Sequence, residues 1–244
     1  ARRPNVMEGG VNGTTNEDRT NYFATVPSAN LEMLMWLESD RLATLLDVTS
    51  QDKLDNQRDV VKNERRQGLE NQPYGRAFPL LAEAVFPKGH PYSWPVIGSQ
   101  EDLSAASLDD VKEFFRQYYT PNNLSLAIAG DFDPAEAKRL VEKYFGGLPP
   151  GPALDRPARW IPRLDSPRVV EVNDRVSLER VYLGWPAPEY FGEGEAELTL
   201  AARVLADGLS SRLNKALVYD RQLATGVNAL NATNEIASLF AVMA

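Results

Sequence analysis

The chain has 244 residues, 43% of them apolar and 25% charged, a globular composition with enough length to bury a sizeable core in one large or two modest domains. A net charge of -8 excludes a nucleic-acid partner, which needs a basic face, and the lack of cysteine excludes a disulfide framework, a thiolate zinc knuckle and a cysteine nucleophile. No stretch approaches the roughly 20 apolar residues of a membrane span, and the start Ala-Arg-Arg-Pro lacks the apolar run of a signal peptide, so the compartment is left open.

In chain order, the first readable signal is Gly9-Gly10-Val-Asn12-Gly13-Thr-Thr, followed after a polar turn at 16–19 by Thr20-Asn-Tyr-Phe-Ala-Thr-Val26. Two β-rich runs around a short turn predict a hairpin or adjacent strands. Ser28 stands where an N-cap is expected, and Leu31, Leu34, Met35, Leu42, Leu45 and Leu46 repeat at helical spacing. A second helix is expected over 51–69, and a third, bounded by Pro73 and Pro87, holds Phe78, Leu80, Leu81 and Val85. The loop Pro87-Lys-Gly-His90-Pro-Tyr-Ser-Trp-Pro95 is too rich in proline for regular structure.

Ser107-Leu-Asp-Asp110 predicts a capping box for a helix carrying Val111, Phe114, Phe115 and Tyr118. Residues 123–129 alternate as a strand, and Asp133-Pro134 should cap and open the next helix, which stops at Gly146-Gly147. Prolines crowd 148–167, which predicts a linker. Beyond it, strands are expected at 168–172, 179–185 and 226–233, with helices at 195–205 and 210–218. A strand ending in proline before a long helix occurs twice, at 22–46 and 182–205, hinting at a structural repeat. The chain starts without Met and stops at Phe240-Ala-Val-Met-Ala244, inside an apparent strand, and is expected to be an interior piece of a larger protein. Trp36 and the Phe114-Phe115 pair are expected to pack in the core.

On a helical wheel, residues 51–69 place Leu54, Val60, Val61 and Gly68 on one side and Arg58, Asp59, Lys62, Arg65 and Arg66 on the other. Glu64 falls in the middle of the apolar side, with Gln57 one heptad earlier beside it. A carboxylate facing inward must be paired, protonated or bound to a metal, because burying it unpartnered costs several kcal/mol. The wheel leaves open a salt bridge to an arginine, a metal, or acid/base chemistry.

The Gly9 to Tyr22 stretch resembles the Gly-x-x-Asn-Ala-x-Thr…Thr-x-Tyr pattern of the pitrilysin/insulinase, or mitochondrial processing peptidase-like, family of zinc peptidases. Five further segments are similar to that family's motifs in the same order: Leu37-Glu-Ser-Asp40-Arg41, Gln57-Arg58-Asp59-Val60-Val61-Lys62-Asn63-Glu64, Gly89-His90-Pro91-Tyr92 with Pro95-Val96-Ile97-Gly98, Tyr119-Thr-Pro-Asn122…Gly130-Asp131, and Gly208-Leu-Ser-Ser211-Arg212.

The resemblance implies an α+β fold, an antiparallel sheet covered by helices and followed by the start of a second similar domain. Residues 1–147 would be most of the peptidase-type domain, 148–167 the linker and 168–244 the first part of the second domain. It also implies a Zn2+ site in the full-length parent, with Glu64 as the distal ligand beside two histidines and a water, and Gln57 supporting it by hydrogen bonding. Asn12 and Gly13 match the edge-strand positions that pair with substrate backbone. Implied partners are extended or unfolded peptide substrates and a second family half closing a chamber.

The departures are equally definite. The only histidine, His90, sits in a loop, and no His-x-x-Glu-His segment is present, so the chain alone is expected to be inactive. His90 is expected to hydrogen-bond within its loop rather than to ligate metal. The alternative function is a non-catalytic partner or scaffold subunit of the same family, toward which Gln57, an amide where many members carry glutamate, leans.

Overall fold

A computed structural model describes residues 10–244; Gly9 of the first motif and the Ala-Arg-Arg-Pro start lie outside the described residues. The fold mixes α and β, with small antiparallel sheets and helices, and divides into two compact units. The first holds residues 10–15, Thr20–Val60 and Gln100–Arg156; the second holds Asn16–Arg19, Val61–Ser99 and 157–244.

In the first unit β1 (Val11–Thr15) pairs antiparallel with β2 (Thr20–Ala24), Gly13 opposite Tyr22. The apolar repeat from Leu31 gives α1 (Leu31–Val48), which packs on α6 (Pro134–Phe145) through buried Met35, Ala137 and Leu140. The pair is also tied by Glu32, which accepts from Lys143 Nζ at 2.7 Å and Tyr144 Oη at 2.9 Å. Ser28 does not cap α1; it opens a 3-10 turn, Ser28–Asn30, and the helix starts without a side-chain cap because that turn already leads into it.

Two other helix starts follow the sequence. Ser107 and Asp110 form the reciprocal capping box of α5 (Leu108–Tyr118), and Asp133 accepts from Ala135 N at 2.8 Å ahead of Pro134 in α6. α4 (Gln100–Ala105) precedes them. Residues 124–129 form no strand, because among the described residues no neighbouring strand pairs with them. The aromatic expectations fail in part: Trp36 is 50% and Phe114 51% exposed, whereas Phe115 is half-buried against Tyr119.

Helix α2 (Gln51–Arg65) ends earlier than expected and passes into a π turn, Arg66–Glu70. In the second unit α3 (Ala77–Val85) fits between Pro73 and Pro87, with Pro79 tolerated in its first turn where no helical donor is needed. The sheet has the order β3-β5-β4, from β3 (Tyr182–Ala187), β4 (Asn228–Ala232) and β5 (Ser238–Met243), all antiparallel. β5 is the central strand and is covered on both faces. Leu239 and Ala241 join Val85 and Phe86, while Phe240 joins Ala187 and Ala202 of α7 (Glu195–Ala206). α3 lies so close to β3 that a Cβ on Gly184 would come within 2.8 Å of Leu81. Residues 168–172 form no strand and leave Val169 exposed, and the helix expected at 210–218 is largely a π turn, Asn214–Asp220.

The proline-rich stretch 148–167 is irregular but not loose. Asn122 brackets Gly151, accepting from its N–H at 2.7 Å, and Trp160 N donates to Ile236 O at 3.0 Å. His90 is 0% exposed. Its Nδ1 accepts from Tyr92 N at 3.0 Å, which leaves Nε2 to carry the proton and donate to Trp160 O at 2.9 Å, while the ring stacks on Phe86 at 4.6 Å. The loop thus uses its histidine structurally, as the sequence indicates. Replacing it leaves two buried backbone groups without partners, so His90→Ala is expected to cost about 2–4 kcal/mol, read as a lower urea midpoint.

Candidate functional site

The site predicted from sequence comprises Asn12 and Gly13 on β1 and Gln57 and Glu64 on α2. On β1, Thr25 N donates to Gly10 O at 3.0 Å, which fixes the bonded rungs at even positions. The N–H and C=O groups of Val11, Gly13 and Thr15 therefore point to the outer edge, where no second strand pairs among the described residues. One of these groups is occupied from within, since Gly13 N donates to Asn12 Oδ1 at 2.8 Å. An incoming peptide carbonyl must displace that amide oxygen to reach the Gly13 N–H.

Gly13 also sits under an aromatic ring. A Cβ there would lie 3.3 Å from Tyr22 Cδ1 and 3.4 Å from Asn21 O, so a larger residue would push Tyr22 aside. Tyr22 is held by its other neighbours: its Oη shares a 3.0 Å hydrogen bond with Tyr119 Oη, and the Arg41 guanidinium lies 4.0 Å from its ring centroid. Sequence reasoning missed this cluster. The signal was present, because Tyr22, Arg41 and Tyr119 each belong to a different motif, but three separate motifs do not announce that their side chains meet.

The face of α2 differs from the wheel. Leu54, Arg58, Val61, Lys62 and Arg65 are half-buried, whereas Gln57, Val60 and Glu64 are exposed, Val60 at 50%. The physical reason lies in the arginines, whose stems bury while their heads find carbonyls. Arg58 donates to Ala106 O at 2.6 Å and to Asp55 Oδ1, and Arg65 donates to Gly98 O at 3.0 Å and to Glu70. Arg66 in the turn beyond donates to Asn63 Oδ1 at 3.0 Å. Glu64 is thus not buried, and no arginine answers it; among the described residues its carboxylate has no hydrogen-bond or ion-pair partner. The inward-facing carboxylate expected from periodicity is a solvent-facing one, and its burial energy no longer demands a metal.

No group of three or more His, Cys, Asp or Glu side chains among the described residues could hold a metal ion. What α2 supplies is one free carboxylate, flanked along the same stripe by Val60 and Gln57. A carboxylate suits zinc as one ligand of four, so Glu64 fits the chemistry of a shared site but not of a complete one.

Residues 105–244 match the model of the peptidase M16 inactive domain. The chain belongs to the M16 peptidase family. The zinc protease PqqE of Helicobacter pylori is 31% identical over 240 residues, 97% of this M16 chain and 53% of that protein. The crystal structure of a protease from Helicobacter pylori matches with a TM-score of 0.82 at 29% identity, covering 97% of this chain and 57% of that one. The peptidase M16 inactive domain from Pseudomonas fluorescens shares the fold, with a TM-score of 0.77 at 18% identity over 96% of this chain and 56% of its own. The M16 chain spans about half the length of the curated relatives it matches. No helix among the described residues is long and apolar enough to cross a membrane.

The tyrosine cluster beside Gly13 carries a pH signature. Burial first, and then the hydrogen bond and charge of Tyr119, raise the Tyr22 phenol from 10.0 to about 12, against a smaller opposing pull from Arg41. A folded-state value above the unfolded one means that this contribution is complete below pH 10 and is lost as pH rises from 10 toward 12. Stability followed across that window is expected to fall less steeply in Tyr22→Phe than in the native sequence.

Proposed function

We propose that this chain is part of an M16 zinc-dependent endopeptidase that cleaves extended or unfolded peptides. The observation that carries the reading is Glu64, a free carboxylate on the exposed stripe of α2, in a chain 31% identical to a zinc protease. The relative's name and the position of Glu64 in the family's motif support the metal role; the remaining ligands lie outside this chain. In this reading Glu64 holds one coordination position, and Gln57, seven residues earlier on the same stripe, steadies it through an amide that brings no charge. Zinc, when bound, polarises a scissile carbonyl and acidifies a water.

The chain's other contribution is to align substrate. The outward N–H and C=O groups of Val11, Gly13 and Thr15 suit the addition of an extended peptide as a further strand, and backbone pairing of that kind makes little demand on peptide sequence. Asn12 yields the Gly13 N–H when the peptide arrives. A second family half, in the same protein or a separate subunit, would enclose the bound peptide. The domain reading accompanies this: 1–147 as most of the peptidase-type domain, 148–167 as the linker and 168–244 as the opening of a second domain. The chain alone would not hydrolyse peptides, because it supplies one ligand only.

A second reading, a non-catalytic partner subunit, is favoured by the matched description "inactive domain" and by Gln57. Zinc content separates the two. The full-length protein is expected to bind zinc stoichiometrically, and Glu64→Gln is expected to lower both its zinc affinity and its peptidase activity by more than about tenfold. Unchanged zinc affinity and activity in Glu64→Gln would remove Glu64 from the site; absence of zinc from the native protein would favour the partner subunit.

A further inference from the structure

The turn Asn16–Arg19, between β1 and β2, is held by more bonds than a hairpin turn requires. Asn16 shapes it locally: Oδ1 accepts from Asp18 N at 3.1 Å and Arg19 N at 2.9 Å, and Asn16 N donates to Arg19 O at 3.0 Å. Thr15 Oγ1 and Thr20 Oγ1, 3.2 Å apart, close the last rung. Those contacts are sufficient for a turn. Asp18 then makes two bonds that the turn itself does not need.

Its Oδ1 accepts from Tyr92 Oη, and its Oδ2 accepts from Glu235 N at 3.0 Å. Tyr92 is buried, and its Oη in turn accepts from Ile236 N at 3.2 Å. The same tyrosine is fixed at its backbone by His90 Nδ1, and His90 is fixed by Trp160 O. Trp160 N returns to Ile236 O at 3.0 Å, so the chain of bonds closes on itself. A tip that is merely a turn does not need a carboxylate wedded to a buried phenol and to an amide of the β4–β5 connection. The expense of desolvating that phenol and carboxylate is offset only because each has a partner.

We propose that Asp18 and Tyr92 are positioning residues for peptide pairing: their hydrogen bond fixes the turn and with it the last rung of the hairpin whose outer edge is presented to substrate. The inference rests on the peptide-pairing role proposed for β1. An edge strand recruits a peptide with less ordering cost when its own end is already fixed. A two-stranded hairpin alone is marginal in water, so the bond at its tip decides how much of β1 is in place before a peptide arrives. Neither side chain touches the edge; both act through the turn.

The test uses the full-length protein, a fluorescent extended peptide read by anisotropy, and hydrogen exchange of residues 11–15, read at Asn12 and Thr14, whose amides face β2. Asp18→Asn and Tyr92→Phe are each expected to weaken peptide binding by about tenfold and to speed exchange of 11–15 by a similar factor, with the double variant no worse than the more affected single one. Asn231→Ala, which removes a half-buried amide bonded to Glu195 O and Thr199 Oγ1, serves as a destabilised control with native peptide affinity. Native affinity and native exchange in both Asp18→Asn and Tyr92→Phe overturn the proposal, as does equal loss of affinity in the control. If the native protein binds no extended peptide, the peptide-pairing reading of β1 fails, and the exchange rates of 11–15 still report whether Asp18 and Tyr92 fix the strand.

Discussion

The buried imidazole of His90 is the interaction on which the second unit depends. A ring with two nitrogens and no access to water must satisfy both, and it does so by accepting from one backbone amide and donating to one backbone carbonyl. That choice fixes its tautomer, which fixes the loop 87–95, which presents Tyr92. Burial pushes the Tyr92 phenol well above its usual range, and the hydrogen bond to Asp18 pushes it further, so the phenol stays neutral and donates. The irregular segments thereby acquire definite places through hydrogen bonds to one another rather than through secondary structure.

This arrangement explains how so little regular β structure supports an M16 fold. The described sheets have two and three strands, and only β5 is sheathed by helices on both sides. Proline-rich stretches and π turns fill the intervals, the former held by side chains such as Asn122 at Gly151 and the latter by their own backbone bonds. The zinc role proposed for Glu64 draws on none of this packing. It belongs to a stripe of α2 that faces water, where a side chain is free to meet a partner supplied from outside the chain.

Much of the fold was legible in the sequence because it is written in local chemistry. Caps at Ser107 and Asp133 and the proline boundaries around α3 are each set by residues within a few positions. The face of α2 was not legible, because hydrophobic periodicity treats arginine as outward-facing. Here Arg58 and Arg65 bury their stems and deliver their heads to the carbonyls of Ala106 and Gly98, decided by residues 33 to 48 positions away. Strands expected at 123–129 and 168–172 failed for a related reason: alternation prepares a segment to pair but does not supply its neighbour. Of the candidate site, the placement of Asn12 and Gly13 on a strand was readable from the two β-rich runs, and their pairing geometry was not. The self-occupied Gly13 N–H has no signature in sequence at all.

The strand order β3-β5-β4 sets a schedule for synthesis. The two outer strands leave the ribosome before the one that joins them, separated by helix α7, and neither can pair with the other in the meantime. Until β5 emerges, Ala187 on one strand lacks Phe240 and Leu230 on the other lacks Ala241, the partners they pack against in the finished sheet. A nascent chain in that interval is a candidate for a chaperone's grip, and a pause in translation ahead of β5 would lengthen it.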